Sequence, residues 1–116
     1  MPHEYTITLP KNKKAEEALN YNQAKNEDLI ELSLTKEEFY ILWNAEVFDL
    51  LNEVGDAWID EYEEGDITSA ERLQKSIKAL QAEDYSHNAQ LSALVDKLIQ
   101  LMQEALKRGV GIYFYF

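Results

Sequence analysis

Cysteine is absent from this 116-residue chain. That excludes a disulfide framework, a thiolate-bound zinc or iron–sulfur site and a cysteine nucleophile, and it suits a reducing compartment. Proline occurs twice and glycine four times, so regular elements with few interruptions are expected. Four scattered glycines also leave no glycine-rich loop to cradle phosphate. Apolar runs are short: none approaches the roughly 18 residues that span a bilayer. Met1–Tyr5 has no basic stretch leading into an apolar one, so no secretory signal is expected. These features predict a cytoplasmic protein with no membrane association. Histidine is limited to His3 and His87, which form no pairing signature. No nucleophile-elbow, P-loop, dinucleotide or metalloprotease string is present. The acid run Asp60–Asp66 lacks the alternating ligands and closing glutamate of a calcium loop. The expectation is a protein that is not an enzyme and carries no cofactor and no metal. Carboxylates are numerous enough to keep a small carboxylate-dependent enzyme as an alternative.

Bases are the other scarcity. Eleven Lys and Arg stand against 22 Asp and Glu, a formal charge of −11. Such a chain repels nucleic acid and anionic membranes and attracts a basic partner, so no direct nucleic-acid contact is expected. The acidity is localised. From Lys36 to Asp66 eleven acids face Lys36 alone, a net −10 that leaves −1 for the rest of the chain. With 46% hydrophobic residues, the chain is expected to form a single domain around its own core.

Hydrophobic periodicity places the elements. Residues 4–9 alternate, with Tyr5, Ile7 and Leu9 on one side and Pro10 closing the run. Residues 29–34 repeat the pattern through Ile30, Leu32 and Leu34. Residues 11–27 are polar and predict a surface connection with a short helix near Lys13–Leu19. Thr35-Lys36-Glu37-Glu38 is a capping box, and Leu34 and Phe39 are placed to staple it. One long helix is expected to follow, carrying Phe39, Leu42, Trp43, Leu50, Leu51 and Val54, with Gly55 ending or bending it. Asp56–Glu64 is expected to add a further helical turn or two, with Trp58 and Tyr62 four apart. A second box, Thr68-Ser69-Ala70-Glu71, starts a helix that reaches about Glu83. A third runs from Ser86 or Asn88 to Arg108, with Gly109 beyond its end. The tail alternates again, Val110, Ile112, Phe114 and Phe116 against Tyr113 and Tyr115. Unpaired it would be an aggregation hazard, so pairing with residues 4–9 is expected. The expected fold is α+β, with three to four helices packed on one face of a small antiparallel sheet that includes the N- and C-terminal strands.

Within the acidic segment, Glu46, Asp49 and Glu53 are spaced by three and four and share a helical face. If the helical phase persists past Gly55, Asp56, Asp60 and Glu63 or Glu64 prolong the stripe. Like charges at these spacings destabilise an isolated helix by a few tenths of a kcal/mol per pair. No Lys or Arg is interleaved to relieve them. A basic partner would do so; plain solvation of a charged face is the competing account. Trp58 and Tyr62 lie beside Asp60, Glu61 and Glu63. An aromatic anchor rimmed by acids is the usual make-up of a hot spot against a Lys/Arg-rich partner, while packing on the sheet is the other role open to Trp58. The candidate partner-binding residues are Glu46, Asp49, Glu53, Asp56, Trp58, Asp60, Glu61, Tyr62, Glu63 and Glu64.

In size, acidity and layout, with the capped helix start Leu32-Ser33-Leu34-Thr35-Lys36-Glu37-Glu38-Phe39, the chain resembles bacterial immunity proteins of contact-dependent inhibition and related polymorphic toxin systems. The resemblance is one of texture over the whole chain, without a motif, and it transfers no functional residue. It implies a cytoplasmic antitoxin that blocks a cognate toxin protein with a basic surface, often a nuclease. A terminal strand left exposed could pair across a two-fold axis, so a monomer or weak homodimer is expected. The alternative on the same acidic face is a nucleic-acid-mimicking inhibitor, of the kind phages encode, directed at a DNA- or RNA-binding enzyme.

Overall fold

The structure, a computed structural model, describes residues 5–60 and 64–116. Strand β1 (Tyr5–Pro10) leads through helix α1 (Lys13–Asn20) and a 3-10 turn (Asn26–Asp28) to β2 (Leu29–Leu34). Helices α2 (Lys36–Asn44) and α3 (Val47–Gly55) follow, then β3 (Glu64–Ile67), α4 (Ala70–Ala82), α5 (Ala89–Arg108) and β4 (Ile112–Tyr115). The strands form one antiparallel sheet in the order β2-β1-β4-β3. The α+β class and the pairing of the two terminal strands are as the periodicity indicates. Five α-helices are present among the described residues rather than three or four.

Period-two alternation decides which side of the sheet carries the core. Tyr5, Ile7 and Leu9 on β1 share a side with Leu34, Leu32 and Ile30 on β2, with Phe114 on β4 and with Gly65 and Ile67 on β3. Against this side pack Phe39, Leu42, Phe48, Leu51, Leu73, Leu80, Leu98 and Met102 from α2 to α5, each fully buried. Phe39 is the hub. Its ring stacks on Tyr5 with centroids 4.1 Å apart and meets Phe48 at 5.4 Å and Phe116 at 5.1 Å.

The helix termini show the local chemistry at work. Thr35 and Glu38 form the reciprocal box, with Thr35 Oγ1 accepting from the Glu38 amide at 3.0 Å and the Thr35 amide donating to Glu38 at 2.9 Å. Ser69, rather than Thr68, caps α4, accepting from the Arg72 amide. Asn88 caps α5, which Gly109 closes in the left-handed region at φ 69°.

Three expectations are corrected. The long helix from residue 36 is two helices, because Glu46 takes a left-handed conformation at φ 62° and breaks the chain after Asn44. The described part of the next segment, residues 56–60, does not continue as helix. Asp56 and Trp58 are left-handed at φ 52° and 59°, which no helix tolerates, and β3 begins at Glu64; Glu61, Tyr62 and Glu63 lie outside the described residues. The helices are not confined to one face. Tyr113 pairs with Thr8 and Asp66 on the side away from the core, and α1 covers it there: Glu16 Oε2 accepts from the Tyr113 hydroxyl at 2.9 Å and from the Gly111 amide at 2.7 Å. The C-terminal strand is also internal to the sheet; the edges are β2 and β3.

Candidate functional site

Helix α3 carries the acidic stripe. Glu46 is its N-cap, and the Leu50 amide donates to the Glu46 carbonyl at 3.0 Å, so the spacing through Asp49 and Glu53 survives the helix break. All three acids are exposed. They line a cleft of about 200 Å³ together with Ala45, Leu50, Glu83 and Tyr85. Glu83 is the C-cap of α4, so packing adds a fourth acid from some 30 residues further along the chain. Glu83 and Tyr85 also line a second cleft of about 460 Å³ that continues between α4 and α5 past Asp84 and Asp96. Neither cleft has a Lys or Arg in its lining.

On the adjoining flank of α3, Asn52, Asp56, Trp58, Ile59 and Asp60 line a cleft of about 270 Å³. Asn52 clamps this segment at two points: its amide donates to the Ile59 carbonyl at 2.9 Å, and its carbonyl accepts from the Ile59 amide at 2.6 Å. The Asp66 amide donates to the Ala57 carbonyl at 3.0 Å. Gly65 permits this approach, since a Cβ there would sit 2.5 Å from the Ala57 oxygen. Trp58 projects from the clamped segment, 76% exposed, with φ at 59°. A bulky residue in that region is strained, by about 1–3 kcal/mol. Of its two prospective roles, packing on the sheet is therefore not the one Trp58 takes.

The described candidate residues do not form one stripe. Glu46, Asp49 and Glu53 meet in the α3–α4 cleft, and Asp56, Trp58 and Asp60 sit on the clamped segment. Glu64 lies opposite Tyr115, on the other side of the sheet from the core. Sequence spacing missed Glu83 and Tyr85, which only the packing of α4 on α3 brings in, and Asp84 in the cleft beyond; the signal available was the pair Glu83-Asp84 at a helix end that lacks a base.

The electrostatics of the face are one-sided. Among the described residues the ion pairs Lys13–Glu16, Glu71–Lys75 and Glu104–Arg108 involve none of Glu46, Asp49, Glu53, Asp56 or Glu83. Glu53 and Asp56 crowd the C-terminal end of α3, and Glu83 that of α4, where the helix dipole disfavours negative charge. Helix α5, by contrast, ends in Lys107 and Arg108. Hydrogen bonds from the Ser86 hydroxyl and amide hold the Asp84 carboxyl below its ordinary value. Burial, and then the charge of Glu83, push the Tyr85 phenol up.

The far side of the sheet is a different environment. Burial, and then Glu16, raise the Asp66 carboxyl. Burial raises Tyr113 strongly, aided by its hydrogen bond to Glu16, and raises Tyr115 with help from Glu64 and Asp66. A phenol with a raised folded pKa favours folding fully below its unfolded value of 10.0, and that contribution is lost as pH climbs through the folded value. Thermal melts from about pH 8 to about pH 12 should therefore fall in midpoint once pH passes about 10. Tyr113→Phe should flatten that fall; an unchanged alkaline slope in the variant would remove Tyr113 from the account.

No protein-family profile matches the chain, and no curated protein matches it. Among solved structures it is similar to the Neisseria DNA mimic protein DMP12, at 21% identity and a TM-score of 0.66, over 98% of this chain and 100% of that one. The likeness shows a shared fold across the whole length. No helix among the described residues is long and apolar enough to cross a membrane.

Proposed function

We propose that the chain is a nucleic-acid mimic, which inhibits a basic DNA- or RNA-binding protein by occupying the surface that would hold phosphates. The carrying observation is the convergence of Glu46, Asp49 and Glu53 from α3 with Glu83 from α4 in a cleft that no base lines. Along α3 the three acids repeat about every 5 Å, from the helical rise, within a factor of two of the charge spacing of about 3.4 Å along one DNA strand. A groove built to bind phosphates at that repeat meets comparable charge here. The acids at the unfavourable ends of α3 and α4 weaken the isolated fold, and a basic partner reverses that effect. The fold shared with a protein named as a DNA mimic supports the same reading. The chain then acts by occupancy in the cytoplasm, without turnover and without a cofactor.

A toxin domain, the partner implied by the resemblance to immunity proteins, is the second reading. Trp58 favours it: an exposed, clamped indole has no counterpart in a phosphate track and suits an anchor for one specific protein.

Capture of partners on the immobilised chain at low salt, followed by elution with duplex DNA, separates the two. Mimicry predicts a nucleic-acid-binding protein released by DNA as well as by salt. A captured toxin domain would favour immunity, and release by salt but not by any nucleic acid would count against mimicry.

A further inference from the structure

We propose that the open edge of β2 is a self-association surface, on which two copies pair β2 with β2 antiparallel about a two-fold axis at Leu32. Strand parity exposes the edge. The Lys11 amide donates to the Asp28 carbonyl at 2.9 Å, and continuing that register makes Ile30, Leu32 and Leu34 the residues bonded to β1. Leu29, Glu31 and Ser33 therefore direct their amides and carbonyls away from the sheet, and among the described residues nothing accepts from or donates to them.

The two edges are treated differently. On β3 the outward Asp66 amide is taken by Ala57, and the strand has only four residues. On β2 six residues run in unbroken register, with no proline, lysine or bulge to discourage pairing. A groove of about 310 Å³ lies beside it, lined by Glu31, Leu32, Lys97, Gln100, Leu101 and Glu104. Leu32 and Leu101 are only half-buried there.

The edge is self-complementary in one register. Pairing centred on Leu32 sets Leu32 against its own copy, Ile30 against Leu34 and Glu31 against Ser33, and so keeps the two Glu31 carboxylates from facing each other. The two α5 helices then approach antiparallel, which sets Lys97 of each copy against Glu104 of the other. Glu104 already holds Arg108 at 2.7 Å and would share its carboxylate. Self-repulsion is smallest on this side, because β2 and α5 lie outside the segment 36–66 that carries ten of the eleven net charges. A contact of one six-residue strand and one helix face is small beside the roughly 800 Å² per partner of a stable interface, so a weak dimer is expected, with a Kd between about 10 μM and about 1 mM.

Sedimentation equilibrium of the full chain, from about 1 μM to about 1 mM, tests this directly. The average mass should climb from 13.5 kDa towards twice that. Ser33→Pro removes only an outward amide and should hold the chain monomeric with its circular dichroism and melting midpoint kept. Should that variant misfold, Lys97→Glu on the exposed helix surface should weaken association about tenfold, and Lys97→Glu/Glu104→Lys should restore it. A mass constant at 13.5 kDa to millimolar concentration would overturn the proposal. So would a dimer indifferent to Ser33→Pro and Lys97→Glu.

Discussion

The double variant Asp49→Lys/Glu83→Lys is expected to lose binding to a nucleic-acid-binding partner by about 100-fold or more while folding about as well as the native chain. Close charge pairs across such interfaces couple by about 1.5–7 kcal/mol, and about 1.4 kcal/mol is tenfold in affinity. Reversing one acid of the α3 row and the acid that α4 adds turns two attractions into repulsions. Stability should change little. A lysine at 49 sits three and four residues from Glu46 and Glu53 and relieves both like-charge pairs, a few tenths of a kcal/mol each, which offsets the dipole stabilisation lost with Asp49 from the first turn of α3. A lysine at 83 stands at the C-terminal end of α4, where the dipole favours a cation. Association rates and thermal midpoints, measured side by side, check this. Unchanged association in a well-folded variant would remove the α3–α4 cleft from the interface.

The largest stability effect is expected at Phe39. Phe39→Ala deletes a fully buried ring that contacts Tyr5, Tyr40, Trp43, Phe48 and Phe116. Aromatic-to-alanine changes in cores cost about 3–5 kcal/mol, a large part of the roughly 5–15 kcal/mol that holds a domain folded. At about 4 °C per kcal/mol for a chain of this size, the midpoint should drop by about 12–20 °C. Trp58→Gly makes the contrast. It removes an exposed indole from a left-handed position, so the midpoint should hold or rise, while an interface that uses the indole weakens. Melts followed by circular dichroism report both. A Phe39→Ala midpoint within about 4 °C of native would mean that the aromatic cluster is not the hub of the core.

Much of the scaffold was legible because its signals are local. β1, β2 and β4 announce themselves by alternation, and the box at Thr35 and the caps at Asn88 and Gly109 mark helix ends by side-chain and backbone chemistry. The failures share a cause: tertiary contacts decide where local preference is weak. Nothing in Trp43-Asn44-Ala45-Glu46 marks a left-handed residue, since glutamate has no special tolerance for it. β3 is four residues with two acids and a glycine, a poor strand by propensity, and it exists because β4 pairs with it and Ala57 bonds its edge. Trp58 and Tyr62 imitate helical spacing in the sequence, but Trp58 is left-handed and Asn52 pins the next residue, Ile59, at both its amide and its carbonyl.

The site divides along the same line. The row Glu46, Asp49 and Glu53 follows from the phase of one helix and could be read from spacing alone. Glu83 and Tyr85 enter only because α4 packs on α3, a fact of three dimensions. What the sequence showed as a charged segment, the fold arranges as a concave acidic face with an indole on its flank.

Competition for a captured partner is the most direct measure of whether that face stands in for nucleic acid. The chain is titrated into a complex of the partner with labelled DNA or RNA, and release is followed by fluorescence anisotropy. Mimicry predicts complete release at one chain per binding site, with the Asp49→Lys/Glu83→Lys variant unable to compete. A ternary complex, in which the chain binds and the nucleic acid stays, would contradict it.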